Sequence, residues 1–149
     1  AVLLSGWEFS GIQTFQAGRP FTVRIKTDNS NTGARNTDRP HMISNPNNGP
    51  KTIDKYFDTG AFTKPAKGSF GNAGRNNVVG PPLNNSDLSL IKNTRFGEDK
   101  NFQFRAEFFN AFNHPNFDFP NRDFGTKNFG KIFSAQFSRQ IQFGFKLLF

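Results

Sequence analysis

Arg139-Gln-Ile-Gln-Phe-Gly-Phe-Lys-Leu-Leu-Phe149 is the stretch from which the fold can be read. Successive side chains of a strand point to opposite faces, so Ile141, Phe143, Phe145, Leu147 and Phe149 share one side. Gln140, Gln142, Gly144 and Lys146 occupy the other. One face is wholly apolar and the other almost wholly polar, over a length that crosses a bilayer, for which about 9 to 11 tilted residues suffice. A soluble sheet can also be polar on one face, but it seldom buries an aromatic edge that runs to a chain end, because ends fray unless held. The pattern predicts the closing strand of a transmembrane β-barrel.

Composition points the same way. Hydrophobic residues are 34% of the 149, yet 21 residues are Phe, against one Met and one Trp, and the mean hydropathy is −0.62. A soluble core normally fills the gaps between rings with Leu, Ile and Val, whereas in a barrel wall the rings can face lipid. No apolar run approaches the 18 residues of a transmembrane helix. Ala1-Val-Leu-Leu-Ser-Gly-Trp7 has no charged leader, so an exported protein is expected to begin upstream of Ala1. Without cysteine there are no disulfides, thiolate metal sites or cysteine nucleophiles. The net charge of +8 makes nucleic acid the competing partner. Lys and Arg are spread from Arg19 to Lys146 without a cluster longer than a pair, which disfavours it.

Period-two alternation predicts strands near 7–16, 20–26, 84–96, 102–112 and 139–149, with long loops over 27–83 and 113–138. In the first, Trp7, Phe9, Gly11 and Phe15 oppose Glu8, Ser10 and Thr14, with Ile12 and Gln13 breaking the pattern. In the second, Phe21, Val23 and Ile25 oppose Thr22, Arg24 and Lys26. Lys92 falls on the apolar parity of the third, which leaves snorkelling and a bulge at Ile91-Lys92 as alternatives. Phe102, Phe104, Ala106 and Phe108 are expected outward on the fourth, with Gln103, Arg105 and Glu107 inward. The 27–83 stretch, rich in Asn, Gly, Pro and Thr, is expected to be loop with at most a helical turn at Ile53-Asp-Lys-Tyr-Phe57.

With Phe149 on the periplasmic side, both long connections fall outside and both short ones inside, the asymmetry that outer-membrane barrels display. The expected fold class is therefore all-β: an antiparallel up-and-down transmembrane β-barrel portion of about five strands with long extracellular loops, incomplete as a barrel.

Gly68-Ser-Phe-Gly-Asn-Ala-Gly-Arg-Asn76, Asp87-Leu-Ser-Leu-Ile-Lys-Asn93, Phe104-Arg-Ala-Glu-Phe-Phe-Asn-Ala-Phe-Asn-His-Pro-Asn-Phe117 and the 139–149 ending together resemble the C-terminal barrel region of TonB-dependent outer-membrane receptors. The resemblance is to the Oar-like group, whose members place a carboxypeptidase-regulatory-like domain and a plug before the barrel. It implies energised movement of a large solute across the bacterial outer membrane. TonB would act only through an N-terminal part, since no TonB box or plug lies within these residues. The ending also resembles the signal read by the barrel-assembly machinery, which gives Ile141, Phe143, Phe145, Leu147 and Phe149 an expected role in assembly.

Glu8, Arg24, Lys26, Arg105, Glu107, Gln140, Gln142 and Lys146 are expected to face the lumen. Arg105 and Glu107 could form an acid–base pair, but a lumenal charge ladder is the plainer reading. His41 and His114 lack metal-ligand spacing and are expected to be solvent-exposed loop residues. Phe108 and Phe112 read as girdle or packing residues, whereas Phe117 and Phe119 suit ligand binding and packing equally. No nucleophile elbow or phosphate loop occurs, so neither an enzyme nor a cofactor is expected. The expected partners are outer-membrane lipid, the assembly machinery, and the rest of the barrel and plug. The rival reading is a stand-alone soluble β-sheet module that binds carbohydrate or another polymer through Trp7, Tyr56 and loop aromatics.

Overall fold

A computed structural model describes residues 4–149; the leader reading of Ala1, Val2 and Leu3 lies outside them. The strands, in order, are β1 (Trp7–Gln16), β2 (Pro20–Phe21), β3 (His41–Met42), β4 (Phe62–Thr63), β5 (Val78–Val79), β6 (Leu83–Phe96), β7 (Lys100–Phe109) and β8 (Gln140–Leu148). No α-helix occurs among the described residues. The chain divides into two compact units. One takes in the chain up to Gln16, Leu83–Asn116 and Gln136–Phe149, and the other Ala17–Pro82 and Phe117–Ala135.

The first unit is an antiparallel sheet of four strands, ordered β1-β6-β7-β8 and not closed on itself. β1 pairs with β6 from Trp7↔Lys92 to Gln16↔Leu83. β6 pairs with β7 from Leu88↔Phe108 to Phe96↔Lys100, and β7 with β8 from Asn101↔Leu148 to Phe109↔Gln140. The register runs unbroken through Ile91 and Lys92, so there is no bulge and Lys92 belongs to the apolar parity. Ile12 and Gln13 likewise leave the strand intact. The turn between β6 and β7 is made possible by Gly97, whose φ of 75° suits a residue without a Cβ.

β7 stops at Phe109 rather than near residue 112, and Asn110 is the reason. Its backbone turns left-handed (φ 48°), its N–H donates to Asp87 Oδ1, and its side-chain amide donates to the His114 carbonyl. A short polar side chain that bonds its own loop competes with the ladder and ends the strand.

The sheet has four strands because 20–26 is not one of its members. Only Pro20–Phe21 is strand, paired with β5, and β1 neighbours β6 directly. Phe21, Val23 and Ile25 do share a face, as their alternation requires, but they are buried in the second unit. Alternation reports that one side of a strand is covered by apolar matter, not what the cover is.

The long connections are not structureless. In the second unit Phe21, Val23, Tyr56, Phe57, Ala61, Phe62, Ala73, Val78 and Ile132 form a core, with Phe124 and Phe129 packed on it. Phe57 meets Phe62 and Phe129 edge-on at centroid distances of 6.2 and 5.1 Å, the arrangement that ring quadrupoles favour. The expected helical turn at Ile53–Phe57 does not form; short 3-10 turns lie instead at Pro46–Asn48 and Thr59–Ala61.

Asparagine replaces the missing sheet ladder. Asn29 donates to the carbonyls of Ala66 and Ser69, and Asn47 donates to the Asn77 carbonyl while accepting from the Val79 N–H. Asn72 accepts from Met42 N–H and donates its own N–H to His41 Nδ1, so His41 is a half-buried acceptor rather than an exposed loop residue. Backbone groups that strands would satisfy are satisfied by amides. Of the six non-glycine residues with positive φ among those described, five are Asn, which tolerates that region best.

Candidate functional site: an apolar and a polar face on one sheet

The pairing sets side chains in rows across the four strands. On one face lie Gly11-Leu88-Phe108-Ile141, then Phe9-Leu90-Ala106-Phe143, then Trp7-Lys92-Phe104-Phe145, then Thr94-Phe102-Leu147. Phe104 stacks on Phe143 (6.0 Å, 19°) and Phe102 on Phe145 (6.1 Å, 28°), so the rings form a ladder. Phe9 and Phe145 are each 70% exposed to solvent. A contiguous apolar surface of this kind demands an apolar neighbour.

The polar groups on this face suit an interface. In the third of the four rows the Lys92 ammonium sits 5.1 Å from the ring centroid of Trp7, the first residue of β1, and donates to the Ser5 carbonyl just before that strand, so Lys92 snorkels toward the short-turn side. At the far side the parity turns polar, where Gln13 bonds Asn84 and Ser86. From Leu88 to Phe96, rising about 3.3 Å per residue and tilted about 40°, the band is about 20 Å tall.

The opposite face carries Ser10-Ser89-Glu107-Gln142, Glu8-Ile91-Arg105-Gly144 and Asn93-Gln103-Lys146. Arg105 Nη2 donates to Glu107 Oε1 at 2.9 Å, and Gln103 Nε2 to Asn93 Oδ1 at 2.9 Å. With Gly144 opposite it, Arg105 has room to lie along the sheet toward Glu107.

A family model described as an outer membrane beta barrel domain matches residues 1–142. The chain belongs to that family. No curated protein and no solved structure matches the chain. The outer-membrane barrel domain places the protein in the bacterial outer membrane. In lipid an unpaired strand edge leaves costly N–H and C=O groups, so the outer edges of β1 and β8 require further strands.

Six of the eight residues expected on the lumenal side, Glu8, Arg105, Glu107, Gln140, Gln142 and Lys146, lie on the barrel domain's polar sheet face. Arg24 and Lys26 do not, because 20–26 left the wall for the second unit. There both bind Asp123, at 2.7 and 3.1 Å. Ile141, Phe143, Phe145 and Leu147 share the apolar face of β8, and Phe149 lies beyond its last residue. Phe112 falls in the exposed turn after β7, and Phe117 packs on the second unit's core. The polar collar of Asn110, His114 and Asn116 was not foreseen, although the repeated Asn in 110–116 was its signal. Asn116 Oδ1 accepts the Asn84 N–H, and Asn110 Oδ1 accepts the His114 N–H.

Burial alone would push the Asp123 carboxyl up, but the hydrogen bonds and charges of Arg24 and Lys26 outweigh it and hold the group below its ordinary value. A carboxyl that titrates lower when folded stabilises fully above its unfolded pKa, near 4, and loses that contribution as pH falls through the folded value. Asp123→Asn is expected to cost the second unit about 1–3 kcal/mol at pH 7 and to flatten the acid limb of its stability profile. Thermal melts between pH 2 and 7 check this; an unchanged acid limb in the variant would remove Asp123 from the account.

Proposed function

We propose that this domain is the wall and surface-loop segment of a TonB-dependent receptor of the Oar-like kind, which moves a large solute across the outer membrane. The observation that carries the proposal is the asymmetry of the sheet. Residues 17–82 and 110–139 both leave it at the end where Gln16 pairs Leu83 and Phe109 pairs Gln140, while at the other end the connection between described strands is the 97–99 turn. Barrels place long loops outside and short turns in the periplasm. A pore needs little beyond its wall, whereas these connections build a folded unit with its own core, as solute capture requires.

In this role the polar rows face the lumen and meet the plug of the longer protein, and TonB acts through a part outside these residues. β8, with its apolar parity and an edge open to strand addition, is the element offered to the assembly machinery. The role involves no catalysis, cofactor or nucleic acid. A soluble binding module would have to carry the exposed Phe ladder in water, where it would drive aggregation.

The test compares a strain lacking the protein with one lacking TonB. Loss of growth on the same solute in both is expected. Growth lost without the protein but kept without TonB would mean a passive pore and overturn the proposal.

A further inference from the structure

Charge that is dispersed along the sequence is gathered by the fold. Thirteen of the nineteen Lys and Arg, but only six of the eleven Asp and Glu, lie in 17–82 and 117–135, so the second unit holds +7 of the net +8. Within that unit opens a cleft of about 500 Å³, lined in part by Thr22, Arg24, Asn76, Phe119, Asn121 and Arg122.

Phe119 is 46% exposed. Its ring is fixed from behind, 5.4 Å from Phe21 and so close to the chain that a Cβ on Gly80 would stand 2.8 Å from it. The Arg19 guanidinium lies over the ring, 5.5 Å from its centroid. Asp123 is held by Arg24 and Lys26, while exposed Arg122 makes no ion pair among the described residues. The cleft therefore presents a fixed ring, an unmatched guanidinium and neutral amide groups side by side, together with the Asp123 carboxylate, which Arg24 and Lys26 neutralise.

We propose that this cleft binds an acidic sugar, a pyranose carrying a carboxylate. The C–H face of the sugar packs on the exposed part of the Phe119 ring that Arg19 leaves open, the carboxylate takes the Arg122 fork, and the side-chain N–H groups of Asn76 and Asn121 serve the hydroxyls, since the Thr22 hydroxyl already donates to Asn76 Oδ1 and Asn121 Oδ1 accepts the Asp123 N–H. A bare anion would leave the ring unused, and a neutral sugar would leave the guanidinium unused.

The experiment is calorimetric titration of the detergent-solubilised protein with trigalacturonate, with a neutral galactose trisaccharide for comparison and inorganic phosphate as competitor. Trigalacturonate is expected to bind at least about tenfold more tightly than the neutral sugar, the worth of one charge-assisted contact. Arg122→Gln should erase that difference, and Phe119→Ala should weaken both sugars. Both side chains are exposed, so the fold should survive, and unchanged melting would verify it. Three results would each overturn the proposal: no binding of trigalacturonate at about millimolar concentration, equal binding by Arg122→Gln, or displacement by phosphate with Phe119→Ala unaffected. Any of these, alongside a shared growth defect without TonB, would leave the proposed transport role standing.

Discussion

Phe143→Arg is expected to destabilise the membrane-inserted barrel by about 2–4 kcal/mol, the cost of a guanidinium facing lipid near the bilayer midplane. Phe143 lies in the second of the apolar rows, beside Ala106 and stacked on Phe104, so the substitution also removes a ring contact. Phe104→Arg should behave alike. Gln142→Arg, one residue away on the opposite face, should cost well under half as much, because its row of Ser10, Ser89 and Glu107 is polar and offers a carboxylate partner. Reversible folding into bilayers, followed in denaturant, measures all three. Equal costs at 142 and 143 would remove the assignment of faces.

Phe57→Ala is expected to have an effect of similar size in a different place. Phe57 is fully buried and meets three other rings, so truncation should cost about 3–5 kcal/mol. That is a large share of what a small core can hold. The variant should become protease-sensitive within 17–82 while the sheet keeps its strand signal and its resistance to unfolding in detergent. Unchanged protease resistance would mean that the ring cluster is not what holds the unit together.

The wall was legible because one period governs it. In β8, β7 and β6 every second residue belongs to one apolar face, so a local pattern carries the whole assignment; Lys92 interrupts the face within its third row, and Gln13 on β1 lies where the face turns polar. The same rule misplaced 20–26, since Phe21, Val23 and Ile25 alternate against a protein core as they would against lipid. The second unit was illegible for a physical reason. Phe57, Phe62, Phe124 and Phe129 are brought together by loops with no period, and the bonds that fix those loops run through Asn side chains across thirty or more residues of sequence. The gathering of charge was hidden likewise, because a cluster built from two distant segments has no signature along the chain.

The central claim is that this sheet stands in the outer membrane with its Phe ladder in lipid, and a nitroxide scan of consecutive positions 102 to 108 on β7 in liposomes tests it most directly. Collision with oxygen, which concentrates in lipid, should peak at 102, 104, 106 and 108. Collision with a water-soluble nickel chelate should peak at 103, 105 and 107. Accessibility to both reagents without a period of two, or with the two sets exchanged, would contradict the account.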